Sequence, residues 1–320
     1  MKASVIICSR NRVDSLLETL DSLAAMVVPS EIHWEILVVD NSSNDGTAQR
    51  VREWARRSKT PVVVLEEPRP GKSHALNRAL TKARGEFLLF TDDDALLDPG
   101  WLCAALHSLE ESGADCVGGR VLPLWLAPRP AWLSDRVINV LAMLDLGSEP
   151  RELTADDRAL LYGVNYAFRR EVFPRVGVFD TGVYARGCGS EDCEMVRRVQ
   201  VTGGRVMYDP RMVVQHKVFP ERVTRAYFRR WYAFHGRDRA ERALPNSRRV
   251  LGLEGYMLRN FGTTLGRLLA AAVRGDADEF FHHELNSRLY LAYIRSRLGQ
   301  FLSGKMPASI SPGSMTPRVH

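Results

Sequence analysis

The run Phe87-Leu88-Leu89-Phe90-Thr91-Asp92-Asp93-Asp94 joins an apolar stretch to three consecutive carboxylates. It starts just after Gly85, and an apolar run of this length bounded by turn residues predicts a buried β-strand. Three adjacent like charges at its end repel one another, a cost that a cation among them relieves. Oxygen-rich ligand sets of this kind suit Mg2+ or Mn2+, ions that usually share their shell with a substrate's phosphates. The same residues also suit an acidic turn or a helix start, because Asp98-Pro99 follows closely and acids are favoured at helix N-termini. The segment alone leaves both readings open.

Upstream, strand-like and helix-like segments alternate, which predicts a mostly parallel α/β sheet, doubly wound and Rossmann-like. Ala3 to Cys8 and Trp34 to Asp40 read as buried strands, and Val62 to Leu65 as a third. Val13 to Met26 carries Leu16, Leu17, Leu20 and Leu23 at helical spacing; a second helix runs to about Ser58 and a third spans Ser73 to Arg84. Sheets of this type bind ligands outside the carboxyl ends of their strands. Cys8-Ser9-Arg10-Asn11, Asp40 and Asp92 to Asp94 all stand at such ends. No Gly-rich dinucleotide fingerprint and no phosphate-binding P-loop follows the first strand, so neither NAD nor P-loop ATP chemistry is indicated.

Downstream the pattern loosens. Pro123 to Pro130 reads as a surface loop, Gly163 to Phe168 as a strand, and Ser190 to Val201 as a helix stopped by Gly203-Gly204. Val206 to Tyr208 and Met212 to His216 read as two short strands around an Asp209-Pro210 turn. The boundaries expected are a catalytic domain over 1–219, a helical region over 220–303 and a disordered tail over 304–320. Tyr256 to Val273 and Phe280 to Leu302 are amphipathic helices in that region.

Hydrophobic residues make up 45% of the 320, enough for a sizeable core. Five cysteines without paired spacing argue for a reducing compartment and against a disulfide framework or a zinc site. No secretory signal is visible, and no apolar stretch approaches the ~20 residues a membrane helix needs, so a cytoplasmic protein is expected. The formal net charge of +6 suits an anionic partner. Between 222 and 242 seven arginines interleave with Tyr227, Phe228, Trp231, Tyr232 and Phe234. This pattern suits peripheral contact at the inner face of a membrane, or simply packing on the catalytic domain. Nucleic-acid binding finds no recognised module to support it.

Gly189-Ser190-Glu191-Asp192-Cys193-Glu194 places three more acids at a loop–helix junction. Helix-dipole enrichment explains Glu194; a carboxylate in such a loop is also placed to accept a proton from a hydroxyl. His216 ends a strand, where an imidazole can complete a metal shell or serve the fold.

Taken in order over residues 3 to 218, these segments resemble the family 2 glycosyltransferases, the inverting group with the GT-A fold. The resemblance rests on Val5 to Arg12, Ile36 to Ser43, Gly71-Lys72-Ser73 with Asn77, and Gly85-Glu86 leading into Thr91 to Asp94. It continues through Gly163-Val164-Asn165, Gly177 to Asp180, the Glu191-Asp192-Cys193-Glu194 element with Arg198, and Pro210 to His216. It implies transfer of a sugar from a nucleoside diphosphate sugar, UDP by family-level preference, to a hydroxyl acceptor such as a lipid-linked one, in cell-envelope or exopolysaccharide synthesis. By the same resemblance Asp192, with Glu191 beside it, is the general base. Ser9, Arg10, Asp40, Lys72, Asn77, Asp92 and Asp93 bind the nucleotide sugar. Gly163, Asn165, Glu194 and Arg198, with the loop 182–189, face the sugar or acceptor. Asp92, Asp94 and His216 hold Mg2+ or Mn2+.

Two departures stand out. Ser9 occupies the place where the family often has a base-stacking aromatic. Tyr227-Phe228-Arg229-Arg230-Trp231 is similar to the Gln-x-x-Arg-Trp element of processive members but lacks the Gln, which favours a single transfer. A sugar nucleotidyltransferase would share the sheet, but needs a Gly-rich basic loop that Cys8-Ser9-Arg10-Asn11-Arg12 does not supply.

Overall fold

The computed structural model describes residues 1–154, 157, 161–182, 191–242, 249–250 and 253–303. The expectations for the loop 182–189 beyond Gly182 and for a disordered tail over 304–320 lie outside them.

The first half is built from β1 (Ala3–Ser9), β2 (Trp34–Asp40), β3 (Val62–Glu66) and β4 (Phe87–Asp92). Between them run α1 (Val13–Ala24), α2 (Thr47–Ala55) and α3 (Lys72–Leu80). Ile6, Ile7, Leu37, Val38 and Leu89 are fully buried. Successive side chains point to opposite faces of a strand, so these unbroken apolar runs show a sheet covered on both sides. α1 turns Leu16, Leu20 and Leu23 inward, three residues that its turn periodicity places on one face.

The second half adds β5 (Ala95–Leu97), α4 (Trp101–Ser112), β6 (Cys116–Trp125), β7 (Arg151–Glu152), β8 (Tyr166–Arg169), α5 (Phe173–Val176), α6 (Glu191–Val201) and β9 (Val206–Val218). Among the described residues one sheet runs in the order β3-β2-β1-β4-β8-β6-β9-β5, with β7 also paired to β9. Strands β1 to β4 are parallel, as are β6 and β9, whereas β8, β5 and β7 run antiparallel to their neighbours.

Two expectations are corrected here. Residues 206–218 form one strand, not two, because the shift between Gly119 and Arg120 lets β6 step from Asp209 to Val213 and leaves the Asp209-Pro210 turn as a bulge. A Cβ on Gly119 would stand 2.2 Å from the Met212 carbonyl oxygen, so the bulge needs a glycine opposite it. The chain from Pro123 to Trp125 is strand, not loop, because β9 stays paired with it as far as Val218.

The chain divides into two compact units. The larger holds Met1–Pro128 and the described residues from Leu141 to Phe219; the smaller holds Arg129–Val140 and the described residues from Pro220 onward. In the smaller unit α7 (Arg225–Arg242), the β10–β11 pair (Arg249–Val250, Leu253–Glu254), α8 (Gly255–Arg274) and α9 (Ala277–Leu302) pack together. Trp132 meets the rings of Phe228 and Phe281 edge-on at 5.3 and 5.2 Å. Phe228 and Tyr232 are buried, and a Cβ on Gly236 would stand 2.2 Å from the Leu289 carbonyl oxygen. Part of the aromatic pattern over 222–242 therefore serves helix packing rather than an interface.

Candidate active site

The register of the parallel strands levels their carboxyl ends. Ser9 lies opposite Asp40, and Cys8 opposite both Val39 and Asp92. Asp40 is buried and accepts a hydrogen bond from the Ser43 amide at 3.0 Å, which holds the carboxyl at the rim of β2. The loops around it are stitched together. Asn41 donates to the carbonyls of Glu67 and Arg69 and accepts from the Gly71 amide at 2.9 Å. Asn11 accepts from the Asn44 amide at 2.8 Å while its own amide donates to Ser43. Asn11 and Ser42 sit at φ 54° and 61°, left-handed positions that these bonds help to hold. Buried Glu67 grips Arg69 with both carboxylate oxygens, and that pairing draws its pKa down to about 2.

The three aspartates divide their work. Ser9 Oγ donates to Asp93 at 2.7 Å, and one guanidinium nitrogen of Arg12 reaches Asp93 at 3.3 Å and Asp94 at 2.7 Å. Burial, followed by the neighbouring Asp94, pushes Asp93 up to about 6 against the pull of Arg12. Asp92 is more open and takes the Lys72 ammonium at 2.5 Å. Asp94 is almost fully buried, and β5–β9 pairing brings His216 level with Ala95, so His216 Nε2 lies 3.1 Å from Asp94 Oδ1.

The other imidazole nitrogen, Nδ1, lies 3.1 Å from the Leu141 carbonyl oxygen, which can only accept, so the hydrogen-bond pattern assigns the proton to Nδ1. That leaves Nε2 facing a carboxylate oxygen, where a cation can be held between the two. Ligand atoms of Asp92, Asp94 and His216 all lie within 4.8 Å of one another. Two carboxylates and an imidazole form a donor set that Mn2+ accepts, and Mg2+ with waters completing its shell. The residues fit the ion.

Asp192, expected as the base, stands at the first turn of α6. Asp192 is half-buried, and its Oδ2 accepts from the Gly163 amide at 2.9 Å. A Cβ on Gly163 would lie 3.1 Å from Asp192 Cβ and 3.0 Å from a Tyr166 ring carbon, so the close approach depends on glycine. Glu191 is buried, and burial pushes its pKa up to about 7; Lys72, with Nζ 3.7 Å away, opposes this, and Asp192 adds to it. Lys72 thereby stands between Asp92 and Glu191 and joins the two acidic groups.

Several expected site residues are committed to the protein itself. Asn165 is 1% exposed; it accepts from Trp101 Nε1 at 2.7 Å and donates to the carbonyls of Arg120 and Met212, which leaves its amide nothing to offer a sugar. Asn77 exchanges two hydrogen bonds with the Phe179 backbone. Glu194 and Arg198 pair along α6, and Arg198 caps the carbonyls of Val176 and Val178. Asp93 is turned onto Ser9 and Arg12. Arg10 is exposed and forms no ion pair among the described residues.

Arg12 was missed. Its two-residue offset from Arg10 put it outside the strand end, whereas the turn at Asn11 brings it back over the aspartates. Lys217 was missed too: its amide donates to the Asp94 carbonyl at 2.8 Å and its ammonium reaches Glu18 at 2.6 Å. A lysine next to His216 on a buried strand was the available signal.

The profile of the family described as "Glycosyl transferase family 2" matches residues 4–177. A glucosyl-dolichyl phosphate glucuronosyltransferase of Haloferax volcanii is 29% identical over 232 residues, covering 70% of this chain and 71% of the relative. The succinoglycan biosynthesis protein ExoM of Rhizobium meliloti is 27% identical over 241 residues, 74% of this chain and 75% of its own. A mannosyltransferase from Pyrobaculum calidifontis, solved with GDP-Man and Mn2+, superposes with a TM-score of 0.61 at 24% identity, covering 95% of this chain and 88% of that one. Residues 1–349 of TarS from S. aureus with UDP-GlcNAc give 0.53 at 19% identity over 95% and 93%. These likenesses show the GT-A fold.

Proposed function

The chain belongs to glycosyl transferase family 2, and from that premise we propose that it carries out one inverting, metal-dependent transfer from a nucleoside diphosphate sugar to the hydroxyl of a lipid-linked glycan. The observation that carries this reading is the placement of Asp192, with one carboxylate oxygen fixed by the Gly163 amide at the mouth of a cluster that also holds Asp92 and Lys72.

The nucleoside rests against the ends of β1 and β2, where Asp40 and Ser9 stand. Asp192 takes the proton of the acceptor hydroxyl as its oxygen bonds to the anomeric carbon. The bond from that carbon to the diphosphate breaks in the same event, and its electron pair leaves with the diphosphate. Attack from the face opposite the leaving group inverts the configuration. Lys72 offers its ammonium on the donor side, and Glu191 holds that ammonium in place. Mg2+ or Mn2+, when held by Asp92, Asp94 and His216, supplies positive charge for the diphosphate.

A single transfer is favoured because the Tyr227–Trp231 stretch lacks the Gln and its Phe228 is buried against Trp132. No described helix is long and apolar enough to cross a membrane. The lipid-linked acceptor is supported by the dolichyl phosphate substrate in the name of the Haloferax relative. The names of the solved neighbours carry both GDP-Man and UDP-GlcNAc, so a screen of nucleotide sugars decides the base.

The test is Asp192→Asn. It should lower turnover by about 10²–10⁴-fold while the donor's Kd stays within about twofold, and the wild-type product should carry the inverted anomer by NMR. Undiminished turnover in the variant removes Asp192 from the mechanism. Release of pyrophosphate instead of a nucleoside diphosphate would mean nucleotidyl transfer.

A further inference from the structure

We propose that the smaller unit binds a small phosphorylated molecule in the cavity where the end of α8, the start of α9 and the helical turn Asp135–Leu141 meet. Arg136 comes from the turn, Arg267 and Arg274 from α8, and Glu279, His282 and His283 from α9. The cavity measures about 390 Å3, within the ~300–1,000 Å3 of small-ligand sites and roomier than a lone ion needs. Arg267 and Arg274 stand two turns apart on one face of α8. All six residues belong to the smaller unit, whereas Asp92, Asp192 and His216 belong to the larger one.

The lining offers donors and lacks acceptors. Each acid nearby is already committed. Asp276 caps α9 by accepting from the Glu279 amide at 3.0 Å, Glu279 is engaged by Arg136 and by His283 at 3.0 Å, and Asp278 lies 3.8 Å from Arg136. Arg267 and Arg274 form no ion pair among the described residues. His282 adds a further donor. The amide nitrogen of Asn286 donates to the His282 carbonyl at 2.9 Å and lies 3.2 Å from Nε2 of the same residue. A carbonyl only accepts, so this nitrogen is the donor in both contacts, and the proton of the neutral ring is assigned to Nδ1. Burial, followed by the charges of His283 and Arg136, pushes the His282 imidazole below its ordinary range, in keeping with a neutral ring. Nδ1 is buried and meets no acceptor, a cost that a ligand oxygen relieves. Two uncompensated guanidinium forks match phosphate oxygens bidentately, and a diphosphate carries enough negative charge to answer both.

The site is independent of the sugar transfer and is read by binding alone. The probe is inorganic pyrophosphate, titrated calorimetrically into the full chain in EDTA, which keeps divalent ions from drawing it to Asp92 and Asp94. Arg267→Gln with Arg274→Gln should weaken binding about 25-fold, roughly fivefold for each exposed guanidinium lost. Both side chains are exposed, so the melting temperature of the double variant should match wild type. Lys72→Gln, in the larger unit, should bind pyrophosphate as wild type does. Equal affinity of the double variant and wild type overturns the proposal, as does loss of binding in Lys72→Gln but not in the double variant. Failure of wild type to bind free pyrophosphate also overturns it, even where vesicles bearing phosphatidylglycerol are bound, since the site would then serve a lipid headgroup.

Discussion

Replacing Arg12 by Met keeps the aliphatic stem and removes the guanidinium that faces two buried carboxylates. Asp94 and Asp93 have side chains 2 and 8% exposed, while Arg12 is 38% exposed. Taking one partner from a buried ion pair costs about 3–5 kcal/mol. Solvent screening of the half-open guanidinium brings the expected loss to about 2 kcal/mol. At about 2–4 °C per kcal/mol for a domain of this size, the larger unit should melt about 4–8 °C lower. The variant also frees Asp94 for an ion, since Mn2+ no longer competes with the guanidinium for its oxygens. Added Mn2+ should therefore raise the melting temperature of Arg12→Met more than that of wild type. Differential scanning fluorimetry with EDTA and with Mn2+ measures both effects. If the variant melts within about 1 °C of wild type and Mn2+ shifts the two equally, Arg12 does not neutralise the aspartates and the reasoning fails.

Gly163→Ala should push Asp192 off its amide and lower kcat about tenfold or more, with little change in donor KM; unchanged kcat would show that the contact at 3.1 Å relaxes freely. Asn165→Ala should destabilise by about 2–4 kcal/mol in urea, because Trp101 Nε1 and two carbonyls lose their partner; donor and acceptor KM in the folded fraction should not move, and a rise in acceptor KM would return Asn165 to the substrate. Glu191, raised to about 7 by burial, keeps a proton in the folded protein that the unfolded chain has already lost. Stability should therefore fall as pH rises from the ordinary carboxylate range through about 7, and Glu191→Gln should flatten that slope in urea midpoints taken from pH 5 to 8; parallel slopes would contradict it.

The first half of the fold was legible because its strands are apolar runs with polar or acidic ends, and these fell where Ala3–Ser9, Trp34–Asp40 and Phe87–Asp92 lie. The later sheet was harder. Pro210 looks like a strand breaker, yet it sits in a bulge whose cost Gly119 removes from the other strand, and a single sequence does not show such pairing. The candidate site was legible as a composition of acids and a histidine, but not as a division of labour. Asn77, Asn165, Glu194 and Arg198 are polar residues near strand ends and helix starts, where an inward hydrogen bond and a substrate contact look alike in sequence. Only the partners Phe179, Trp101 and Val176 distinguish them. Arg12 was hidden for a similar reason, since the left-handed turn at Asn11 that redirects it has no glycine to announce it.

The meeting of Asp94 with His216 spans 122 residues, whereas Arg12 reaches Asp94 across only 82 and from upstream. On a ribosome adding about 5–20 residues per second, the aspartates emerge roughly 6–24 s before the histidine. Through that interval the nascent β1–β4 layer already owns the guanidinium that neutralises its acids, so it can settle without the last strand. The imidazole arrives with β9, so the group of Asp92, Asp94 and His216 is complete on the growing chain only once residue 216 has been made.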